Sequence, residues 1–169
     1  MHNMSLTHEY RIIVATYGDK TAKRSNVPLI NHINEGIIIL DEIGASDTAK
    51  RAYCMHPVLQ DDGALLKNYE DVPNLSKPSV LIATMEYRRV ANNYLSKRTI
   101  NSIDEIELSP LKDVNDMLIA DKVQNRKDFE LYHLDTHERS DVLDQYFKNW
   151  LTRLGITEER YQELVKLIS

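Results

Sequence analysis

The sequence has few of the features that mark an exported or membrane protein. Cys54 is its only cysteine, so no internal disulfide bond is possible and a reducing compartment is expected. Its thiol could be reactive, but a small residue on a helical apolar stripe is more often part of the core. No stretch approaches the roughly 20 apolar residues that span a bilayer, and residues 1–10 carry no signal-type apolar run. We therefore expect a cytoplasmic protein without a membrane partner.

Positive charge is also scarce. The chain has 21 lysines and arginines against 26 aspartates and glutamates, which gives a net charge of −5. Proteins that bind nucleic-acid polymers usually present a basic face, so this balance argues against that class. It leaves room for a small anionic ligand, because a few local cations can bind one phosphate group. The length of 169 residues fits one domain, residues 1–169, with a core of its own.

Helix start and stop signals are frequent, whereas hairpin signals and internal repeats are missing from the sequence. Pro28 suits the first turn of a helix, and Gly44 suits the cap that follows it. Pro57 is expected to end the third helix at His56, because proline cannot donate the helical hydrogen bond. The signals predict an all-α, single-domain fold with helices over residues 9–17, 28–43, 46–56, 76–97, 111–133, 140–154 and 157–169.

Ionisable side chains occupy positions where helical periodicity would place apolar ones. His32 falls in the middle of the apolar stripe of the second helix, and His56 falls on that of the third. Asp121 and Asn125 lie one turn apart on the stripe of the helix predicted over residues 111–133. Burying an unpaired carboxylate costs several kcal/mol, so Asp121 requires a cation, strong donors or a raised pKa.

This pattern has two interpretations. Two neutral imidazoles and one carboxylate from three helices could surround one divalent metal ion, with Asn125 orienting a water or a substrate oxygen. Alternatively, His32 and His56 are satisfied core histidines, and Asp121 forms a buried hydrogen bond to one of them. The spacing alone favours the second interpretation, because the sequence has no local metal motif such as His-Glu-x-x-His.

Three segments in this order resemble the SpoT/RelA-type hydrolase domains, which are HD-type phosphohydrolases: VPLINH (27–32), AYCMH (52–56) and LIADKVQN (118–125). The likeness is greatest to the small single-domain metazoan type, and it extends to DQYFKNW (144–150), whereas residues 64–109 match only loosely. Domains of this family are all-helical and hydrolyse the 3′-pyrophosphate of guanosine tetra- and pentaphosphate, usually with manganese. The metazoan type is also similar to a phosphatase that acts on NADPH.

By position, the resemblance implies a role for nine residues. The implied metal ligands are His32, His56 and Asp121. The residues implied to activate the attacking water and to support the reactive site are Gln60, Asp61 and Asn125. The implied substrate contacts are Lys23, Arg24 and Tyr146. For Lys23 and Arg24, a solvated loop is the alternative interpretation.

The sequence departs from this family at the defining His-Asp pair, where Pro57 replaces the aspartate. One metal ligand is thereby lost, and the proline ring disfavours helical geometry at His56, which is expected to point that side chain differently. Gln60 cannot accept a proton as the family's glutamate does. A carboxylate from Asp61 or Asp62 could compensate, unless residues 60–63 simply form a turn after the helix. We expect weakened binding of Mn²⁺ or another divalent metal, and no other cofactor.

These observations support three hypotheses. The first is a metal-dependent phosphohydrolase that cleaves a phosphate or pyrophosphate bond of a small nucleotide resembling guanosine tetraphosphate or NADPH. The second is a binding module that kept the pocket but lost the catalyst, and that sequesters or senses such a nucleotide. The third is an interaction domain with a vestigial pocket. The hydrolase ranks first, because a family resemblance predicts the ligand class better than one missing residue predicts inactivity.

Overall fold

A computed structural model of the chain describes residues 4, 7–23, 25–96, 100–136 and 138–169. Their regular structure is helical apart from one isolated β-bridge between Thr21 and Pro28, which confirms the predicted all-α fold. A 3₁₀ turn covers Ile103–Glu105. In this part of the chain, no helix is both long enough and apolar enough to cross a bilayer. The α-helices are α1 (His8–Tyr17), α2 (Ile30–Glu42), α3 (Asp47–Leu59), α4 (Asp62–Asn68), α5 (Val72–Leu75), α6 (Pro78–Ser96), α7 (Lys112–Tyr132), α8 (Ser140–Arg153) and α9 (Glu158–Lys166).

Local capping explains several of the helix boundaries. The side chain of Ser46 accepts a hydrogen bond from a backbone N–H in the first turn of α3, and Thr157 does the same for α9. Gly44 and Gly155 follow α2 and α8 with φ angles of 68° and 77°, a conformation that favours glycine. The cap at Gly44 was predicted correctly. Pro28, in contrast, lies in the turn before α2 rather than inside the helix.

The prediction that Pro57 ends the third helix is wrong. Helix α3 continues to Leu59 with Pro57 inside it. A proline in a helix removes one hydrogen bond, but its fixed φ is compatible with helical backbone, and tertiary packing can hold the helix together. The predicted turn over residues 60–63 is also wrong, because Asp61 caps α4 and Asp62 begins it.

Helix α3 lies at the centre of the bundle. It packs against α1, α2, α6 and α7, while α7 also contacts α2, α6, α8 and α9. Fully buried aromatic side chains fill the spaces between these helices, including Tyr53, Tyr87, Trp150 and Tyr161. Cys54 is buried in this core, and burial raises the pKa of its thiol to about 12. The interpretation of Cys54 as a core residue is therefore confirmed.

A close contact between α2 and α3 depends on Gly36. A Cβ atom at this position would overlap the ring of Tyr53. Without it, the ring lies against α2, and its hydroxyl reaches to 3.3 Å from both Nε2 and the backbone oxygen of His32. The glycine thus positions an aromatic side chain directly beside one of the predicted metal ligands.

Candidate metal centre

The three predicted metal ligands converge in the space between α2, α3 and α7. His32 lies in the first turn of α2, His56 near the end of α3 and Asp121 in the middle of α7. One ligand atom from each lies within 4.8 Å of the others, which is close enough to bind a metal ion. His56 and Asp121 are buried, whereas 20% of the His32 side chain is exposed. The predicted convergence is confirmed, and the expectation that Pro57 would point His56 elsewhere is wrong.

The hydrogen bonds around His32 define its tautomer. Its Nδ1 lies 2.7 Å from Oε1 of Gln124, whose Nε2 donates to Glu35 at 3.1 Å and to Asp128 at 2.8 Å. Both of these carboxylates are acceptors, so the amide nitrogen must face them and the amide oxygen must face the imidazole. In its neutral form, His32 therefore carries its proton on Nδ1, and Nε2 presents a lone pair.

His56 is held in the same tautomer by the backbone. Its Nδ1 lies 2.6 Å from the carbonyl oxygen of Tyr53, which can only accept a hydrogen bond. Burial, and then the neighbouring His32, lowers the pKa of His56 to about 3, so the imidazole is neutral at neutral pH. Nε2 of His56 therefore also presents a lone pair.

The two lone pairs point into one small space. The Nε2 atoms of His32 and His56 are 3.2 Å apart, and Nε2 of His32 is 3.5 Å from Oδ1 of Asp121. With both imidazoles in these neutral tautomers, the three atoms are all acceptors, and none can donate to another. The Tyr53 hydroxyl has one proton to offer and two acceptors on His32 within reach. A shared cation would stabilise three converging acceptors of this kind. The Nδ1 atoms of both histidines are held by hydrogen bonds to fixed acceptors, as in many protein metal sites.

Asp121 is ionised because its neighbours compensate for its burial. Lys122 Nζ lies 2.7 Å from Oδ2, and Nδ2 of Asn125 donates to Oδ1 at 2.8 Å. Burial alone would raise the pKa of Asp121, but Lys122 and the two histidines more than offset it and lower the pKa to about 2. This carboxylate is therefore available as an anionic ligand at neutral pH.

Lys122 is a site residue that the sequence analysis did not single out. Its ammonium group lies 5.5 Å from the ring centre of Tyr146 and 5.4 Å from that of Trp150. Burial would lower its pKa, but Asp121 more than offsets this and raises it. The available signal was the composition of α7, whose central turns are polar on most faces although the helix lies inside the bundle.

The His-His-Asp cluster lies at the base of a pocket of about 440 Å³, a volume typical of small-molecule sites. Among the predicted site residues outside this cluster, Gln60, Asn125 and Tyr146 line the pocket. Most of the wall is apolar or aromatic. The residues that form this part of the wall are Tyr17, Ala22, Val27, Pro28, Leu29, Pro57, Ala91, Leu143, Tyr146 and Phe147.

Two other predicted residues are not brought into the pocket lining. Asp61 is exposed, and its side chain caps α4 by accepting from the backbone N–H of Ala64 at 2.7 Å. Lys23 is exposed on the loop between α1 and α2. Arg24 lies outside the described residues. Asp62, considered as a replacement carboxylate, forms an ion pair with Arg88.

The pocket therefore combines a His-His-Asp cluster with one buried ammonium group and a ring-lined wall. Comparisons of the chain with protein-family models, with curated proteins and with solved structures gave no match.

Proposed function

We propose that this protein is a metal-dependent phosphohydrolase that acts on a small, nucleotide-like phosphate compound. The observation that carries the proposal is the convergence of two imidazole lone pairs and one carboxylate, with His32 and His56 3.2 Å apart at Nε2. A divalent cation bound there would polarise a phosphoryl oxygen and acidify a water molecule. Three protein ligands leave coordination positions open for both groups.

The charges at the site favour a dianionic ligand. As metal ligands, His32 and His56 would be neutral, while Asp121 and Lys122 carry opposite charges and cancel. A divalent cation would therefore leave two positive charges among these four residues. Asp128, which also lines the pocket, pairs with Lys127 at 3.1 Å. A phosphate monoester carries a charge of about −1.5 to −2 near neutral pH, which matches this excess. Lys122 would stabilise charge that develops on the phosphoryl group.

The pocket wall supports a ring-bearing ligand. Tyr146 stacks on Tyr94 with ring centres 4.9 Å apart, which fixes its orientation at the pocket surface. Phe147 lies beside it, 5.3 Å away between ring centres. Rigid aromatic surfaces of this kind bind planar groups such as nucleobases. A nucleoside phosphate thus fits both halves of the pocket, with its phosphate at the metal centre and its base against the wall.

The ligand set narrows the identity of the metal but does not select a single one. Imidazole suits zinc and iron, carboxylate suits manganese, and a set of two histidines and one carboxylate accepts any of them. The test is titration of the metal-free protein with Mn²⁺, Fe²⁺ and Zn²⁺ by calorimetry. Incubation with nucleoside mono-, di- and triphosphates, guanosine tetraphosphate and NADPH follows, with ³¹P NMR of the products. We expect one ion per chain and release of phosphate or pyrophosphate.

The matched variants are Asp121→Asn and Asp116→Asn. Both aspartates are buried on α7, and both pair with a lysine, Asp116 with Lys112 at 2.6 Å. Asp121→Asn should abolish metal binding and turnover, whereas Asp116→Asn should retain both. The proposal is rejected if the wild-type protein binds no divalent metal, or if no phosphorus product appears with any metal and substrate combination.

A second candidate function is binding of the same ligand without cleavage. It is favoured by one observation: the carboxylates that were candidates to activate water are engaged elsewhere, since Asp61 caps α4 and Asp62 pairs with Arg88. Gln60 lines the pocket but offers only an amide. The same ³¹P NMR experiment separates the two functions, because a binder returns its nucleotide unchanged after saturating the protein.

A further inference from the structure

The backbone of α3 contains a carbonyl group that helix formation leaves without its donor. In an α-helix, the N–H of each residue donates to the carbonyl four residues earlier. Pro57 has no N–H, and the residue four positions before it is Tyr53. The Tyr53 carbonyl belongs to a fully buried residue, where an unpaired oxygen would be costly.

The imidazole of His56 fills this gap. Its Nδ1 lies 2.6 Å from the Tyr53 carbonyl oxygen, a short and well-formed hydrogen bond. The histidine comes immediately before the proline in sequence and three residues after the tyrosine. The missing N–H therefore leaves the Tyr53 carbonyl free to accept a hydrogen bond, and the His56 side chain donates that bond.

We infer that Pro57 is a positioning residue: by freeing the Tyr53 carbonyl it fixes His56 in the Nδ1–H tautomer and turns Nε2 toward His32 and Asp121. The consequence for metal binding rests on the proposed function, while the effect on the tautomer does not. Any other residue at position 57 would bring an N–H to the same carbonyl and compete with the imidazole for it. His56 could then adopt the other tautomer, whose protonated Nε2 cannot bind a metal.

His32 achieves the same orientation by a different route. Its Nδ1 donates to the side chain of Gln124, which is held by Glu35 and Asp128. The Nδ1 atom of His56 has only the backbone carbonyl of Tyr53 as its partner. The two histidines thus reach one tautomer through independent partners, and only the partner of His56 depends on position 57.

The test compares Pro57→Ala with Pro78→Ala. Pro78 is the first residue of α6, where a backbone N–H has no partner within the helix. The protein is labelled with ¹⁵N-histidine, and the His56 signals, one set among six histidines, are identified by comparison with His56→Gln. In metal-free wild-type protein, the spectrum should show Nδ1 protonated and Nε2 bare. Pro57→Ala should add the other tautomer, and Pro78→Ala should change nothing.

In Pro57→Ala, metal affinity should fall without a loss of thermal stability. Partners that orient a metal-binding histidine typically contribute about 10–100-fold to affinity, and we expect Pro57→Ala to weaken binding of the titrated metal by such a factor. The melting temperature should stay constant or rise, because alanine favours a helix interior far more than proline does. A residue that acted only on the fold would lower both quantities together.

A backbone variant separates the missing N–H from the proline ring. An α-hydroxy-acid analogue of alanine at position 57, which forms an ester bond, lacks both, and it should restore the wild-type tautomer and affinity. The inference is overturned if wild-type His56 carries its proton on Nε2, or if Pro57→Ala keeps the Nδ1–H tautomer. If the wild-type protein binds no metal but the tautomer still depends on position 57, the proposed function fails and this inference stands.

Discussion

The floor and the rim of the pocket are built in different ways. The floor (His32, His56, Asp121 and Lys122) consists of side chains on three helices, which are held by hydrogen bonds to neighbouring groups and by the ion pair between Asp121 and Lys122. The rim, residues 18–23 and 25–29, is a loop folded by backbone hydrogen bonds, such as Ala22 N–H to the Val27 oxygen at 2.8 Å. The candidate metal ligands are thus fixed by contacts inside the bundle, whereas the described charged groups of the rim, Asp19, Lys20 and Lys23, are exposed.

This difference has an energetic consequence. A change in the floor leaves a buried polar or charged group without its partner, so its effect on stability should be large. A change of the same chemical type on the rim removes a group that already faces water, and such surface substitutions usually have little effect. Paired substitutions in the two regions therefore measure how strongly the free energy of unfolding depends on the floor residues compared with the rim residues.

The largest effect is expected for Lys122→Met. Lys122 and Asp121 have side-chain exposures of 7% and 5%, and the variant would leave the carboxylate buried without its cation. Removing one partner of such a pair costs about 3–5 kcal/mol. The free energy of unfolding, measured by urea denaturation at neutral pH, should fall by this amount. The matched rim variant is Lys23→Met, which should change stability by less than about 0.5 kcal/mol because the side chain is exposed.

A double variant makes this test more specific. Lys122→Met combined with Asp121→Asn removes both charges, so it should cost less than Lys122→Met alone plus Asp121→Asn alone. Strict additivity would mean that the two residues stabilise the fold independently. Equal losses at Lys122 and Lys23 would remove the proposed contrast between floor and rim.

Most of the floor could be predicted from the sequence. Helical periodicity placed His32, His56 and Asp121 on buried stripes, and buried stripes of packed helices must meet. Periodicity could not identify Lys122, because the residue after a core position is not expected to point inward as well. It also carries no information on tautomers, which depend on partners such as Gln124 that are distant in sequence.

The predictions that were wrong or missing can each be traced to particular residues. The Pro57 prediction used the loss of one hydrogen bond, whereas the imidazole of His56 supplies a replacement. Helices α4 and α5, with 7 and 4 residues, were not predicted because so few turns show no clear period. The rim could not be predicted because the placement of Lys23 depends on loop geometry rather than on a repeating pattern.

An intermediate effect is expected for Gly36→Ala. The added Cβ would overlap the Tyr53 ring, and overpacking of this kind typically costs about 1–3 kcal/mol. The displaced ring would also move the hydroxyl that lies 3.3 Å from Nε2 of His32. We expect a lower free energy of unfolding in urea, together with weaker binding of the titrated metal by calorimetry.

Gly63→Ala is the matched control for this substitution. Gly63 is an exposed residue of α4, and its added Cβ would meet only the Asp61 side chain, at 3.2 Å. Both substitutions gain the helix-forming advantage of alanine, about 0.5–1 kcal/mol, so their difference isolates the collision with Tyr53. If Gly36→Ala is as stable as Gly63→Ala, the close approach of α2 and α3 does not position Tyr53.

The smallest expected effect is the pH dependence that His56 gives to the metal-free protein. Burial, followed by the proximity of His32, lowers its pKa from 6.5 to about 3. Below pH 6.5 the unfolded chain therefore binds a proton that the folded chain does not bind until about pH 3. The contribution to stability is complete above the unfolded pKa and is lost as the pH falls toward the folded one. The expected slope is at most about 1.4 kcal/mol per pH unit.

Urea denaturation from neutral pH down to about pH 5, above the range in which most carboxylates titrate, isolates this slope. His56→Gln should flatten the profile, because glutamine has no proton to gain. His133→Gln is the matched control, because it removes a histidine at the C-cap of α7, outside the pocket lining. A wild-type profile as flat as that of His56→Gln would mean that His56 is protonated as readily in the folded protein as in water. In that case its Nε2 would carry a hydrogen below about pH 6.5, and the floor would lack at those pH values the lone pair that distinguishes it from the rim.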